Sequence, residues 1–178
     1  MPEKTIWTIG HSTRSFAGLL SLLQEFEIGL LADIRSYPGS KRLPHFNKAY
    51  LEVELPKNGI NYLHIKDLGG RRTPLPDSLN TALESGGFRG YADYMTAPVF
   101  KQAVEQLEKE AFRVRTVYMC AEAYWGSCHR ALLSDFLKHR GWTVIHIVNT
   151  GTTQEHPYTR QARIENGQLN YSQPDLFS

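Results

Sequence analysis

Two cysteines are the only thiols in this chain of 178 residues, and they stand eight positions apart. Glu122 lies between Cys120 and Cys128, and His129 and Arg130 follow directly. A thiolate is a nucleophile and a soft metal ligand. A carboxylate just past a buried strand serves as a general base, and a histidine beside it moves protons. The pattern predicts Cys120 at the end of a strand. Cys128 then takes the first position of a helix capped by Ser127, where free N–H groups and the helix dipole favour a thiolate or a bound anion. Each residue also has a plainer use: a cysteine as a small packed hydrophobe, Glu122 and His129 as surface groups. His11, Cys120, Cys128 and His129 make a Cys2His2 set by composition. The Cys120–Cys128 spacing matches no standard zinc module, so no metal site is expected, and no cofactor is identified.

Four more polar clusters carry groups of the same kind. They are Gly10-His11-Ser12-Thr13-Arg14, then Asp33 with Arg35-Ser36, then Lys66-Asp67 with Gly69-Gly70-Arg71-Arg72, and finally Asn149. Gly10, Ser12, Arg14, Asp33, Arg35, Cys128 and Arg130 are candidates to hold an anionic ligand. Cys120, Glu122, His129 and His11 are the candidate reactive set. Between Arg35 and Arg72 the chain carries a net +5, against +2 for the whole. Gathered on one cleft, that excess attracts phosphates; spread over a loop, it is only a solvated surface.

These clusters need elements to bring them together. Short β-like runs alternate with helical ones, which predicts a single three-layer, Rossmann-like α/β domain with a mainly parallel sheet. Strands are expected at 5–9, 29–34, 60–65, 114–119 and 143–148. Helices are expected after Ser15, over about 47–55, after Thr96 with Pro98 in the first turn, and after Ser127. Residues 76–87 read as irregular. Asn166-Gly167 between two short apolar runs predicts a C-terminal β-hairpin. The domain is expected to cover 1–171, with 172–178 a flexible tail. In an open α/β sheet ligands bind beyond the carboxyl ends of the strands, and every cluster follows a predicted strand. His11, Asp33, Arg35, Cys120, Glu122 and His129 are therefore expected to share one pocket.

Composition bounds the rest. Hydrophobic residues are 41% and charged residues 21%, ordinary for a globular domain. No apolar run reaches membrane-spanning length, and the first residues lack the pattern of a secretory signal. Two cysteines are too few for a disulfide framework, so a cytoplasmic home is expected.

Asp33-Ile34-Arg35 looks like the Asp-Val-Arg signature of rhodaneses, and a cysteine loop after a strand suggests those enzymes or Cys-phosphatases. Their tight cysteine-to-arginine cradle is not matched here: Arg130 lies ten positions after Cys120, with Tyr124-Trp125-Gly126 between. A more extensive set of motifs resembles the bacterial domain-of-unknown-function family 488. It comprises Thr8-Ile9-Gly10-His11-Ser12, Leu31 to Pro38, Phe46-Asn47, Leu68-Gly69-Gly70, Phe88 to Met95, Met119-Cys120-Ala121-Glu122, Cys128-His129-Arg130 and His156-Pro157. The resemblance implies an α/β fold in a cytosolic bacterial protein and carries no established reaction. Separately, Gln173-Pro174-Asp175-Leu176-Phe177 resembles the peptide with which bacterial DNA polymerases and repair proteins dock on the sliding clamp. Gln173, Leu176 and Phe177 are its anchors; alternatively Leu176 and Phe177 pack back on the domain.

The resulting expectation is an enzyme acting on a phosphate-bearing ligand, a nucleotide or nucleic acid, in a DNA-maintenance setting. Two alternatives stand beside it: a non-catalytic nucleotide- or nucleic-acid-binding adaptor, and a Cys-dependent, rhodanese-like sulfur or redox protein.

Overall fold

Six strands form the central sheet in the computed structural model, which describes residues 3–174. In chain order they are β1 (Thr5–Gly10), β2 (Leu30–Asp33), β3 (Asn61–His64), β4 (Thr116–Cys120), β5 (Thr143–Asn149) and β6 (Thr152–Glu155). Their spatial order is β3-β2-β4-β1-β5-β6, with every pair parallel except the β5–β6 edge. All residues of β2 and β4 are buried, as expected of strands covered on both faces.

Among the described residues, five α-helices complete the layers: α1 (Phe16–Glu25), α2 (Lys48–Glu54), α3 (Gly86–Tyr94), α4 (Pro98–Arg113) and α5 (Arg130–His139). On one face Leu19, Leu22 and Leu23 of α1 and Leu51 of α2 pack with Ile9, Leu31, Val117 and Met119. On the other, Tyr91 of α3, Phe100, Val104 and Leu107 of α4, and Leu132, Leu133 and Leu137 of α5 pack with Ile6, Ala32, Tyr118 and Val144. Adjacent strand residues point to opposite faces, so Val117 and Tyr118 serve different layers.

Local signals set several boundaries. Ser15 caps α1, its hydroxyl accepting the Gly18 N–H at 3.0 Å. Asn166-Gly167, with φ of 52° and 76°, turns β7 (Arg163–Glu165) into β8 (Gln168–Asn170) as a separate two-stranded sheet.

Four expectations need correction. The first is α3, a helix not expected from the sequence, which starts at the end of the stretch read as irregular and runs on to Tyr94. Gly86, Gly87 and Gly90 hide its helical signal, and burial of Tyr91 and Ala92 secures it. Gly90 is required there, because a Cβ would lie 2.1 Å from the Arg72 carbonyl oxygen. The second is the cap of α4: Ala97 stands at the N-cap, while the Thr96 hydroxyl donates to the Asp93 carbonyl at the end of α3.

The third is the start of α5. Ser127 closes a short 3-10 turn, Cys128 is extended (φ −141°, ψ 173°), and the helix begins at Arg130. Cys128 is therefore not a first-turn residue. The fourth is β6, whose exposed Thr-Thr-Gln-Glu sequence has no apolar signal and pairs only because β5 offers an edge.

The chain just after β8 stays in contact with the domain. The Tyr171 carbonyl accepts the Ala82 N–H at 2.8 Å, and Arg163 donates to the Ser172 carbonyl and hydroxyl. Gln173 is exposed; Leu176 and Phe177 lie outside the described residues.

Candidate active site at the carboxyl edge of the sheet

The parallel register aligns the ends of β1, β2 and β4: Gly10 is opposite Cys120, and Asp33 is opposite Met119. The β1–β4 contact continues past the strands, with His11 N–H donating to the Cys120 carbonyl and Ser12 N–H to that of Ala121, both at 2.9 Å. Gly10 permits this close passage, since a Cβ there would sit 1.6 Å from the Glu122 carbonyl oxygen. The Cys120–Arg130 segment is thereby pinned directly above β1.

The two sulfurs meet at 2.9 Å. Both cysteines are buried, yet both line a cavity of about 430 Å³ together with Arg35, Ser36, Gly70, Arg71, Phe88, Glu122 and His129. Their environments differ. The hydrogen bond from Cys120 and the adjacent Arg130 cation hold the Cys128 thiol down to about 6, despite burial. Burial raises the Cys120 thiol well above its ordinary value. At neutral pH Cys120 therefore keeps its proton and donates it to a Cys128 thiolate.

Arg130 is the third member of this centre, and its placement differs from a ligand-facing one. The residue is 1% exposed. Its backbone N–H and Nε–H point at the Cys128 sulfur at 3.4 and 3.5 Å. The rest of the guanidinium donates to the Glu122 and Ala123 carbonyls and to Thr8 Oγ1. Its charge acts on the thiolate from below.

A directed chain continues beyond it. Thr8 Oγ1 pairs with His146 Nδ1 at 2.5 Å, His146 Nε2 with His156 Nδ1 at 2.9 Å, and His156 Nε2 with Asp135 Oδ1 at 2.8 Å. Asp135 also accepts the Thr159 N–H, the Thr159 hydroxyl and the Tyr171 hydroxyl. Arg130 donates into Thr8 and the carboxylate only accepts. One proton order that satisfies every link runs from the Thr8 hydroxyl to His146, from His146 to His156, and from His156 to Asp135. Thr8, Arg130 and His156 each stand in a sequence motif, but nothing in the sequence connects them, because the members of the network come from β1, β5, α5 and the loops after β6 and β8.

His129 donates Nε2–H to the Ile34 carbonyl at 3.1 Å, which leaves Nδ1 with a free lone pair next to Gly70. Burial lowers its pKa to about 4, so it is neutral at physiological pH. His11 pairs with the Ser12 carbonyl through Nδ1 at 2.8 Å and faces Arg35 through Nε2 at 3.3 Å. It too is lowered to about 4, chiefly by burial, and it stacks on Phe46 at 4.3 Å. Arg35 makes a two-point ion pair with Asp33, at 2.9 and 2.7 Å, and donates to the Phe46 carbonyl at 2.6 Å. Asp33 is wholly buried and also accepts the Tyr62 hydroxyl at 2.6 Å.

Of the expected set, Arg35, Cys120, Glu122, Cys128 and His129 line the cavity. His11 and Asp33 stand behind Arg35 and fix its guanidinium. Arg14 points elsewhere, donating to the Val148 carbonyl at the end of β5. Glu122 contributes its carbonyl to Arg130, while its residue is exposed at the mouth.

Exposed cations beside the cavity come instead from Lys66 and the Gly-Gly-Arg-Arg run. Arg71 (φ 61°) is exposed beside Lys66, and both lie over the ring of Tyr37, itself 69% exposed. Left-handed backbone at a non-glycine residue is uncommon and collects at functional sites; Ser12, with φ of 52°, is a second instance here. Among the described residues, no group of three or more His, Cys, Asp or Glu side chains converges to hold a metal.

Fold and site together define a mostly parallel α/β protein with a paired-thiol pocket at the carboxyl edge of its sheet. Residues 15–137 match the family described as Domain of unknown function DUF488, and the chain belongs to that family. The matched span includes Asp33, Arg35, Cys120, Glu122, Cys128, His129 and Arg130, whereas Gly10, His11, Ser12 and Arg14 precede it. No curated protein and no solved structure matches the chain.

Proposed function

We propose that the protein is a thiol-dependent enzyme, a transferase or hydrolase, in which Cys128 attacks an electrophilic centre on a phosphate-bearing ligand. One observation carries this: Cys128 lines the cavity while two N–H groups of Arg130 and the Cys120 thiol point at its sulfur. A thiolate so held is a nucleophile at neutral pH. As its sulfur bonds to the ligand, the bond to the leaving group breaks, and the Cys120 thiol supplies the proton the leaving group needs. Arg71 and Lys66 at the mouth bind the phosphate, and Tyr37 and Phe88 offer rings against which a base can stack.

Two measurements test this reading. Thermal-shift titration with nucleotides and short oligonucleotides across a salt series should show binding that weakens with salt and is lost in R71A/K66A. C128S should still bind but form no covalent adduct. A Cys128 that alkylates no faster than a free thiol at pH 7 would remove the nucleophile and the proposal with it. Salt-dependent oligonucleotide binding without any covalent step would leave a non-catalytic adaptor.

A reducing cytoplasm suits such a centre. The Gln173–Phe177 sequence supports recruitment to the bacterial sliding clamp and hence a DNA-maintenance setting. Anisotropy of the last ten residues against the clamp tests it, with L176A/F177A expected to abolish binding.

A further inference from the structure

We infer that Cys120 and Cys128 form a working dithiol that reduces small disulfides, itself closing to an intramolecular disulfide. The inference rests on Cys128 being the nucleophile of the proposed enzyme, and it adds a second class of substrate and a role for Cys120. Three observations carry it.

The first is proximity. The sulfurs are 2.9 Å apart, and a disulfide bond is about 2.0 Å long, so closure requires roughly 1 Å of movement. The second is asymmetry. Dithiol exchange works when one sulfur is a thiolate and its neighbour a protonated thiol held in reserve, and the Arg130 cation beneath Cys128 imposes that division. The third is access. Both cysteines line the same cavity, and the segment that joins them is exposed from Ala121 to Tyr124.

The chemistry balances without a cofactor. The Cys128 thiolate attacks one sulfur of the incoming disulfide. A protein–ligand S–S bond forms, the original S–S bond breaks, and the first thiolate leaves. It takes the proton of Cys120, which has lost its acceptor now that the Cys128 sulfur is bonded. Cys120, as thiolate, then attacks the Cys128 sulfur and displaces the second thiolate, which takes a proton from solvent. The protein loses two electrons, and the disulfide is reduced to two thiols. Arg71 at the mouth favours a disulfide that bears carboxylates.

The probe is oxidised glutathione, added to the reduced full-length protein, with alkylation quench and intact-mass and peptide analysis. The expected product is a Cys120–Cys128 disulfide without a glutathione adduct. C120S and C120A should instead accumulate glutathione on Cys128, with a lifetime at least about tenfold longer. Should these variants misfold, wild-type protein with one equivalent of phenylarsine oxide gives an independent answer. Arsenic bridging two thiols should protect both cysteines from alkylation at once.

Three results overturn the inference: a wild-type mixed disulfide that never resolves, no reaction with glutathione at all, or arsenic that leaves one cysteine open. Iodoacetamide separates these from failure of the underlying proposal. Rapid Cys128 alkylation alongside any of them leaves the nucleophile standing and removes only the dithiol.

Discussion

Cys128 shows how little a residue's type says about its chemistry. Its sulfur meets a second thiol, the Arg130 side chain and the first backbone N–H of α5, and hydrogen bonding from Cys120 plus the Arg130 charge lowers its pKa to about 6. The rate of iodoacetamide labelling at Cys128 should therefore rise with pH around a midpoint well below the ordinary thiol value of 9.0. Removing the cation must raise that midpoint. R130Q should move it up by about one pH unit or more, and R130K should fall between the two. A pH series with peptide-resolved mass spectrometry gives both midpoints. An R130Q midpoint equal to the wild-type value would mean that Arg130 serves only to brace the loop.

At the scale of elements, the site depends on backbone passing backbone. Gly10 ends β1 beneath the Glu122 carbonyl, and nothing flexible there can retreat. G10A should cost about 3 kcal/mol or more, the upper end of overpacking penalties, and slow Cys128 labelling as the Arg130 contacts shift. Urea denaturation with labelling of the folded fraction checks both. G90A drives a Cβ against the Arg72 carbonyl oxygen where α3 packs on the Gly-Gly-Arg-Arg run. It should weaken anion binding at Arg71 while leaving the Cys128 midpoint unchanged, because the Cys120 and Arg130 groups that lower the Cys128 thiol come from outside α3.

Over the whole molecule, buried histidines couple the fold to pH. Burial lowers His11 and His129 to about 4 and His146 to about 2, from 6.5 in the unfolded chain. Between pH 6.5 and pH 4 the unfolded chain binds protons that the folded one refuses. Stability must then fall as pH drops, by up to ~1.4 kcal/mol per pH unit for each histidine. A melting temperature that stays flat from pH 7 to pH 5 would contradict this.

Asp135 works at the same scale. It gathers His156, Thr159 and Tyr171 and so ties the segments after β6 and β8 to α5. D135A orphans those donors and should cost roughly 3–5 kcal/mol by chemical denaturation.

The sequence by itself determined the layered architecture, the parallel sheet, the hairpin and the edge where the polar clusters collect. Those features are written in local periodicity, turn chemistry and the rule that ligands sit beyond strand ends. It also determined which segments bear thiols, histidines and arginines.

Only the tertiary structure decided what each of them touches. Arg14 and Arg130 both look like arginines poised for an anion, yet one reaches the end of β5 and the other lies under a sulfur. The helix α3 and the strand β6 have weak local signals and exist because a core and a sheet edge receive them. The chain from Arg130 to Asp135 joins residues 122 and 138 positions apart in its Arg130–Thr8 and Thr8–His146 links. Hydrogen bonds of that span are set by sheet order, which no window of sequence contains.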